Sequence, residues 1–224
     1  MFTLTPLDRR FFPADPEHVT LGLSPWNGRY KTPYIKELVT WAYRRFGRLD
    51  VFVPGYEAAH TLVAGGYPVG ESVHRARRAI NRLRNPSVRA LAELGVADPA
   101  SHVRTWTQLH NRPAYVHGLE LARQAYESDP EARAACRATA HGAISRLEDH
   151  SAITDAHVDL AVGYAIAELP LVLHGPEIYG VKSTLFLYHR DMELLHPFLR
   201  PGAFLPPAPG QGYAIVTDQD GGAR

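Results

Sequence analysis

Residues 21–28 read Leu-Gly-Leu-Ser-Pro-Trp-Asn-Gly, and Ser24 within them is placed where a nucleophile could sit. A mostly apolar run, His18 to Leu23, stops at this serine. Pro25 follows, then an Asn27-Gly28 turn pair. Such a run before a Ser-Pro break is how a buried parallel strand ends. In open α/β sheets chemistry gathers at the carboxyl ends of strands, where a serine hydroxyl can accept an acyl group. An ordinary reading competes, because serine at an N-cap with proline next to it starts many helices. On these residues alone the cap is the better reading. The stretch is not the elbow G-x-S-x-G, since Trp26 stands at the last glycine position.

Tyr164 and Glu168 are four apart in an alanine-rich segment, so a helix would put them on one face. A carboxylate in such apolar surroundings takes a partner or takes a proton. Glu168 is either exposed at a helix end before Pro170 or placed to hold an ammonium group, and the two readings are even. Tyr188-His189 closes a second apolar run, Thr184 to Leu187. That is an ordinary strand terminus, or a phenol and an imidazole brought beside Ser24. Arg75, Arg77, Arg78, Arg82, Arg84 and Arg89 crowd one segment with no acidic residue between them. Arg75, Arg78, Arg82 and Arg89 share a helical face. A solvated surface is the usual explanation of such a row, but the missing carboxylates favour phosphate contacts, which the arginine fork matches.

The elements that must position these groups alternate. Strands are expected at 18–24, 49–54, 102–107, 183–189 and 212–217. Helices are expected at 33–46, at 69–83 and again at 87–94 after the Asn85-Pro86 break, and at 113–128, 130–147, 154–167 and 191–199. Alternation of this kind argues for an α/β fold: a single Rossmann-like domain with a mostly parallel sheet flanked by helices. The run of helices from 113 to 167 would be an insertion or a covering layer. The tail from Asp218 to Arg224 is expected to fray.

Composition narrows the classes. The chain has 224 residues, 45% hydrophobic and 21% charged, with a net charge of +1. These values are ordinary for a soluble globular protein. No uninterrupted apolar run and no secretion signal are seen, so no membrane association is expected, and the cytoplasm is the expected compartment. Cys136 is the only cysteine, which excludes an intrachain disulfide and a multi-cysteine zinc site. The twelve histidines are scattered without H-E-x-x-H or H-x-H spacing, so no metal is expected. There is no G-x-G-x-x-G or G-x-x-x-x-G-K-[ST], hence no expected nucleotide cofactor.

Four motifs in order, Gly22-Leu23-Ser24-Pro25-Trp26-Asn27, Tyr164-x-x-x-Glu168-x-Pro170, Tyr188-His189 and Gly210-Gln211-Gly212-Tyr213, resemble those of the cyclodipeptide synthases. The resemblance runs from His18 to about Val216. It implies a fold similar to the catalytic domain of class I aminoacyl-tRNA synthetases. It implies joining of two aminoacyl groups, taken from two aminoacyl-tRNAs, into a 2,5-diketopiperazine without ATP or another cofactor, by an enzyme acting as a monomer. Carried over, Ser24 is the nucleophile, flanked by Gly22 and Asn27. Tyr164 and Glu168 hold the aminoacyl ammonium, Tyr188 positions groups and moves protons, and Tyr115 lies near the substrate. Asn27, Tyr188 and His189 together mark the Asn-Tyr-His subfamily.

Thr20, Phe52, Trp106, Leu171 and Phe186 would surround the first side-chain pocket, either narrowing it for a small group or walling it for a flat one. Arg146 would lie near the second pocket, pairing with an acidic side chain or facing water. The arginine segment matches the family's basic helix and would meet tRNA. Ser24 at the mouth of a helix would gain from its dipole. Two other functions share these residues: an aminoacyl-ester hydrolase using Ser24, and a non-catalytic tRNA-binding domain in which Ser24 is only a cap.

Overall fold

In the computed structural model, which describes residues 1–147 and 153–218, strands β2 (His18–Gly22) and β3 (Leu49–Phe52) are buried along their whole length. Near-continuous burial is what a strand covered on both faces requires. With β1 (Phe2–Pro6), β4 (Val103–Arg104), β5 (Thr184–Tyr188) and β6 (Gln211–Asp218) they form one sheet in the order β1-β6-β5-β2-β3-β4. All pairings are parallel except β1 against β6. After β2 the chain moves to β3 on one side, while β5 lies on the other. The crevice between β2 and β5 is thus the switch point where such sheets bind ligands.

Helices cover both faces. One core cluster joins α1 (Thr32–Phe46) and α3 (Val69–Glu93) to Val19, Leu21 and Val51. The other joins α5 (Pro113–Ser128), α6 (Pro130–Ile144) and α7 (Asp155–Leu173) to Phe52, Phe186 and Tyr213. The three successive helices are therefore a covering layer. α7 is long and apolar enough to cross a membrane by length and composition, but here it packs mostly buried beside α5 and α6. The remaining described helices are short: α2 (Ala58–Ala64), α4 (Trp106–His110), α8 (Gly175–Tyr179) and α9 (His196–Leu199).

Four expectations need correction. Pro86 does not break α3: its ring is buried, and Ser87 Oγ donates to the Leu83 carbonyl at 2.8 Å while the helix continues. Tertiary packing along α1 outweighs the lost rung. The strand expected at 102–107 keeps only Val103–Arg104, because Thr105 and Gln108 form a capping box that starts α4. The segment 191–199 is a single 3-10 turn, Glu193–Leu195, followed by α9. β1 was not expected, although Phe2-Thr-Leu-Thr alternates as an edge strand should. Of the tail, Asp218 ends β6 and residues 219–224 lie outside the described residues.

Candidate active site

β2 delivers Ser24 to the crevice. Leu23 N–H donates to the Phe52 carbonyl at 2.9 Å, so the ladder extends one residue past the strand, and the chain then leaves the sheet. It does not enter a helix there. α1 begins at Thr32 with Lys31 at the N-cap and Pro33 in the first turn. Both the cap reading of Ser24 and its placement at a helix mouth are therefore overturned; Pro33, not Pro25, pre-sets the first turn. The intervening loop turns at Trp26, which has φ 58°, a left-handed conformation usually left to glycine. The residue that breaks the G-x-S-x-G pattern thus adopts the backbone angle that a glycine favours.

Asn27 organises this loop. Its Oδ1 accepts the Arg29 N–H at 3.0 Å, so its Nδ2 faces His189 Nε2, also at 3.0 Å. Nε2 must then accept, and the ring proton sits on Nδ1. Nδ1 meets Tyr30 Oη at 3.1 Å, and the Tyr30 hydroxyl donates to the Gly22 carbonyl at 3.4 Å. Burial, reinforced by Arg190, Arg29 and Arg146, pushes the His189 pKa down to about 4, so the imidazole stays neutral at physiological pH. The network ties the ends of β2 and β5 together on either side of Ser24.

The Tyr188 ring lies 3.2 Å from where a Cβ on Gly22 would stand, at the strand end that leads to Ser24, whose Oγ donates to the Pro25 carbonyl at 3.4 Å. Burial and the nearby Glu168 charge raise the Tyr188 pKa to about 12, so it acts as a neutral O–H. Tyr164 and Glu168 project from one face of α7, as their spacing requires. Burial holds the Tyr164 phenol well above its usual value, and the Glu168 charge adds to this. Burial raises the Glu168 carboxyl to about 7, opposed only by Arg190. No hydrogen bond or ion pair to Glu168 is found among the described residues. The carboxylate is held in place and left for a cation to pair with.

Phe52, Trp106, Leu171 and Phe186 are buried together beneath this group, with Phe52 and Trp106 edge to face at 4.4 Å. Thr20 lies lower on the same face and is buried. Tyr115 is fully buried, and its hydroxyl donates to the Ala167 carbonyl at 3.0 Å. It braces α7 next to Glu168. Arg146 is exposed, and burial of its head and the charge of Arg190 lower its pKa.

The arginines divide. Arg78, Arg82 and Arg89 line a groove with Thr32, and Arg75, Arg78 and Arg82 line a cleft of about 570 Å³ with Trp26, Leu62, Tyr67 and Arg146. Arg77 and Arg84, seven apart, lie on the other flank of α3. Arg75 is not free of acid: Glu71, one turn earlier, pairs with it at 2.7 Å. Sequence reasoning missed Tyr30 and Glu57. Tyr30 makes contact across 159 residues, which no local period signals. Glu57 is a second carboxylate whose charge reaches Tyr164 and Tyr115, with one buried oxygen unpaired.

An α/β sheet thus carries a serine, a neutral phenol and a half-buried carboxylate without a partner among the described residues at its switch point. The family model for cyclodipeptide synthase matches residues 5–218, and the chain belongs to that family. It is 32% identical over 209 residues to the cyclo(L-leucyl-L-leucyl) synthase of Bacillus subtilis, covering 90% of this chain and 82% of that one. It is 28% identical over 208 residues to the cyclo(L-tyrosyl-L-tyrosyl) synthase of Mycobacterium tuberculosis, covering 90% and 70%. The crystal structure of a cyclodipeptide synthase from Bacillus thermoamylovorans superposes with a TM-score of 0.88 at 29% identity, over 97% of this chain and 96% of that one. A Mycobacterium tuberculosis structure, which demonstrates that cyclodipeptide synthetases are related to type I tRNA synthetases, superposes at 0.80 with 26% identity, over 96% and 93%.

Proposed function

We propose that this cyclodipeptide synthase works through an aminoacyl-enzyme on Ser24, fed by two aminoacyl-tRNAs in turn. Ser24 Oγ attacks the ester carbonyl of the first aminoacyl-tRNA. The bond to the ribose oxygen breaks, and the serine proton ends on that oxygen. The α-amine of the second aminoacyl-tRNA then attacks the Ser24 ester, which restores the serine hydroxyl and leaves a dipeptidyl-tRNA. The dipeptide's own amine attacks its ester carbonyl, closes the diketopiperazine and frees the second tRNA. Each ester is already activated, so the protein's work is positioning and charge stabilisation, with no cofactor.

Glu168 and Tyr164 hold the ammonium, Tyr188 moves protons at Ser24, and Asn27, His189 and Gly22 hold the loop in place. The cleft between Trp26 and Arg75, Arg78, Arg82 and Arg146 takes the tRNA end, with phosphates on the arginines and the indole as a stacking surface. Its need for charged tRNA supports a cytoplasmic enzyme.

The observation that carries this reading is the gathering of Ser24 and Tyr188 at the adjoining ends of β2 and β5, with a Glu168 that has no partner among the described residues. Its test is intact-mass analysis after brief mixing with charged tRNA. Wild type is expected to gain one aminoacyl group and to release diketopiperazine, and folded Ser24→Ala is expected to do neither. Free amino acid as the sole product would mark a hydrolase instead. Tight tRNA binding without turnover would leave only a binding module.

A further inference from the structure

The space on the sheet side of Gly22, two residues before Ser24, is already occupied. Gly22, the last residue of β2, pairs in register with Phe52 on β3, and Phe186 on β5 stands opposite Thr20. A Cβ at Gly22 would meet the tip of the Phe186 ring at 2.8 Å and the Tyr188 ring at 3.2 Å. Phe186 therefore lies across the end of β2 at Gly22, two residues before the serine. Phe52 packs edge to face on Trp106, which in turn meets the Tyr164 ring at 6.1 Å. Phe52, Trp106 and Phe186 are 2%, 0% and 2% exposed. Aromatic side chains thus fill the layer between the sheet and α7.

An aminoacyl group on Ser24 with its ammonium at Glu168 has two directions left at its α-carbon. One points away from the sheet and suits a hydrogen. The other points onto these rings. Packed interiors resist even one added methylene, so a long side chain has no room there without moving a ring. We propose that the first aminoacyl group taken by this enzyme carries a small side chain: glycyl, alanyl or seryl. This rests on the reading in which Ser24 is acylated and Glu168 holds the ammonium. It sets this chain apart from the relatives named above for leucyl and tyrosyl products.

The experiment mixes wild type with one purified aminoacyl-tRNA at a time, glycyl, alanyl, seryl, leucyl or phenylalanyl, and follows the Ser24 adduct by quenched intact mass. At least one small donor is expected to acylate roughly tenfold or more faster than leucyl and phenylalanyl donors. Leucyl or phenylalanyl adducts forming as fast as the small ones overturn the proposal while leaving the Ser24 mechanism standing. Absence of any adduct with all five donors overturns the mechanism and the proposal together. Phe186→Val and Trp106→Leu, each checked for a native melting transition, are expected to raise the leucyl rate relative to alanyl. A folded variant that keeps the wild-type donor order removes its ring from the proposal. If neither variant folds, the wild-type donor series still decides.

Discussion

Two carboxylates on the same side of one sheet, Asp50 buried and Glu168 half-buried, are treated in opposite ways. Asp50, on β3, lies toward the amino end of the strands. Its oxygens take His102 Nδ1 at 2.9 Å and Arg104 Nε at 3.0 Å, with His18 Nε2 at 3.7 Å. Burial alone would raise its pKa, but His18 and Arg104 beside it bring it below the usual range. Glu168, on α7 toward the carboxyl end, has no such partners, and burial raises it to about 7. The protein pairs the charge that lies among its own basic side chains and leaves unpaired the charge that, under the proposed function, meets the substrate. Gln211 falls on the structural side: its Oε1 accepts from Gly175 N–H at 3.0 Å and Thr184 Oγ1 at 2.9 Å. The Gly-Gln-Gly-Tyr motif therefore fastens β6 to β5, and Gly210, with φ 82°, packs against the Lys182 carbonyl too closely for any side chain.

The contrast can be broken most directly at Asp50. Asp50→Asn leaves the half-buried Arg104 against a neutral amide, and because Arg104 keeps solvent contact the loss should fall below the roughly 3–5 kcal/mol of a fully buried pair. Chemical denaturation should show that loss, while the Ser24 adduct still forms in whatever fraction remains folded. Unchanged stability would remove the structural half of the comparison.

Glu168→Gln should act with the opposite sign. A carboxyl raised from 4.5 to about 7 binds more protons folded than unfolded. Its ionised form therefore weakens the fold as pH rises between these values. Gln, which never ionises, should raise the melting temperature at pH 8, by up to roughly 3 kcal/mol of stability, and change little at pH 4. Product formation should collapse in the same variant. The wild-type kcat/KM should rise with pH through about 7, and Glu168→Gln should lose that limb. A variant that is less stable at pH 8 would mean that Glu168 is paired after all.

The smaller effect lies on α3. Changing Arg78 and Arg82 to Ala should flatten the salt dependence of tRNA binding by about one log–log unit per lost phosphate contact. Changing Arg77 and Arg84 on the opposite flank should leave it unaltered. Adding Arg75→Ala should matter less than either of the first two, since Glu71 already competes for it. An unchanged salt dependence after loss of Arg78 and Arg82 would return the row to a solvated surface.

Much of this was legible in the sequence because it is local. The strand ending at Ser24, the i, i+4 pair of Tyr164 and Glu168, and the alternation of strands and helices are written in short-range period and turn chemistry. Position along a strand was harder to read. Thr20 and Phe52 differ in role from His18 and Asp50 only by two residues of register, and only the folded sheet shows which end each faces. Tyr115 lines the right helix, but its hydroxyl is spent on the Ala167 carbonyl. The helix mouth expected at Ser24 was a competition between two prolines, Pro25 and Pro33, which local signals could not decide. Tyr30 and Glu57 enter the site through tertiary contact alone.

The central claim is that Glu168 is held unpaired to receive an ammonium. It is tested by the rate at which Ser24 is acylated by a free aminoacyl-tRNA and by its N-acetylated form, in wild type and in Glu168→Gln. Wild type should strongly prefer the free amine, and the variant should show little preference between the two. Equal acylation of wild type by both donors would contradict the claim.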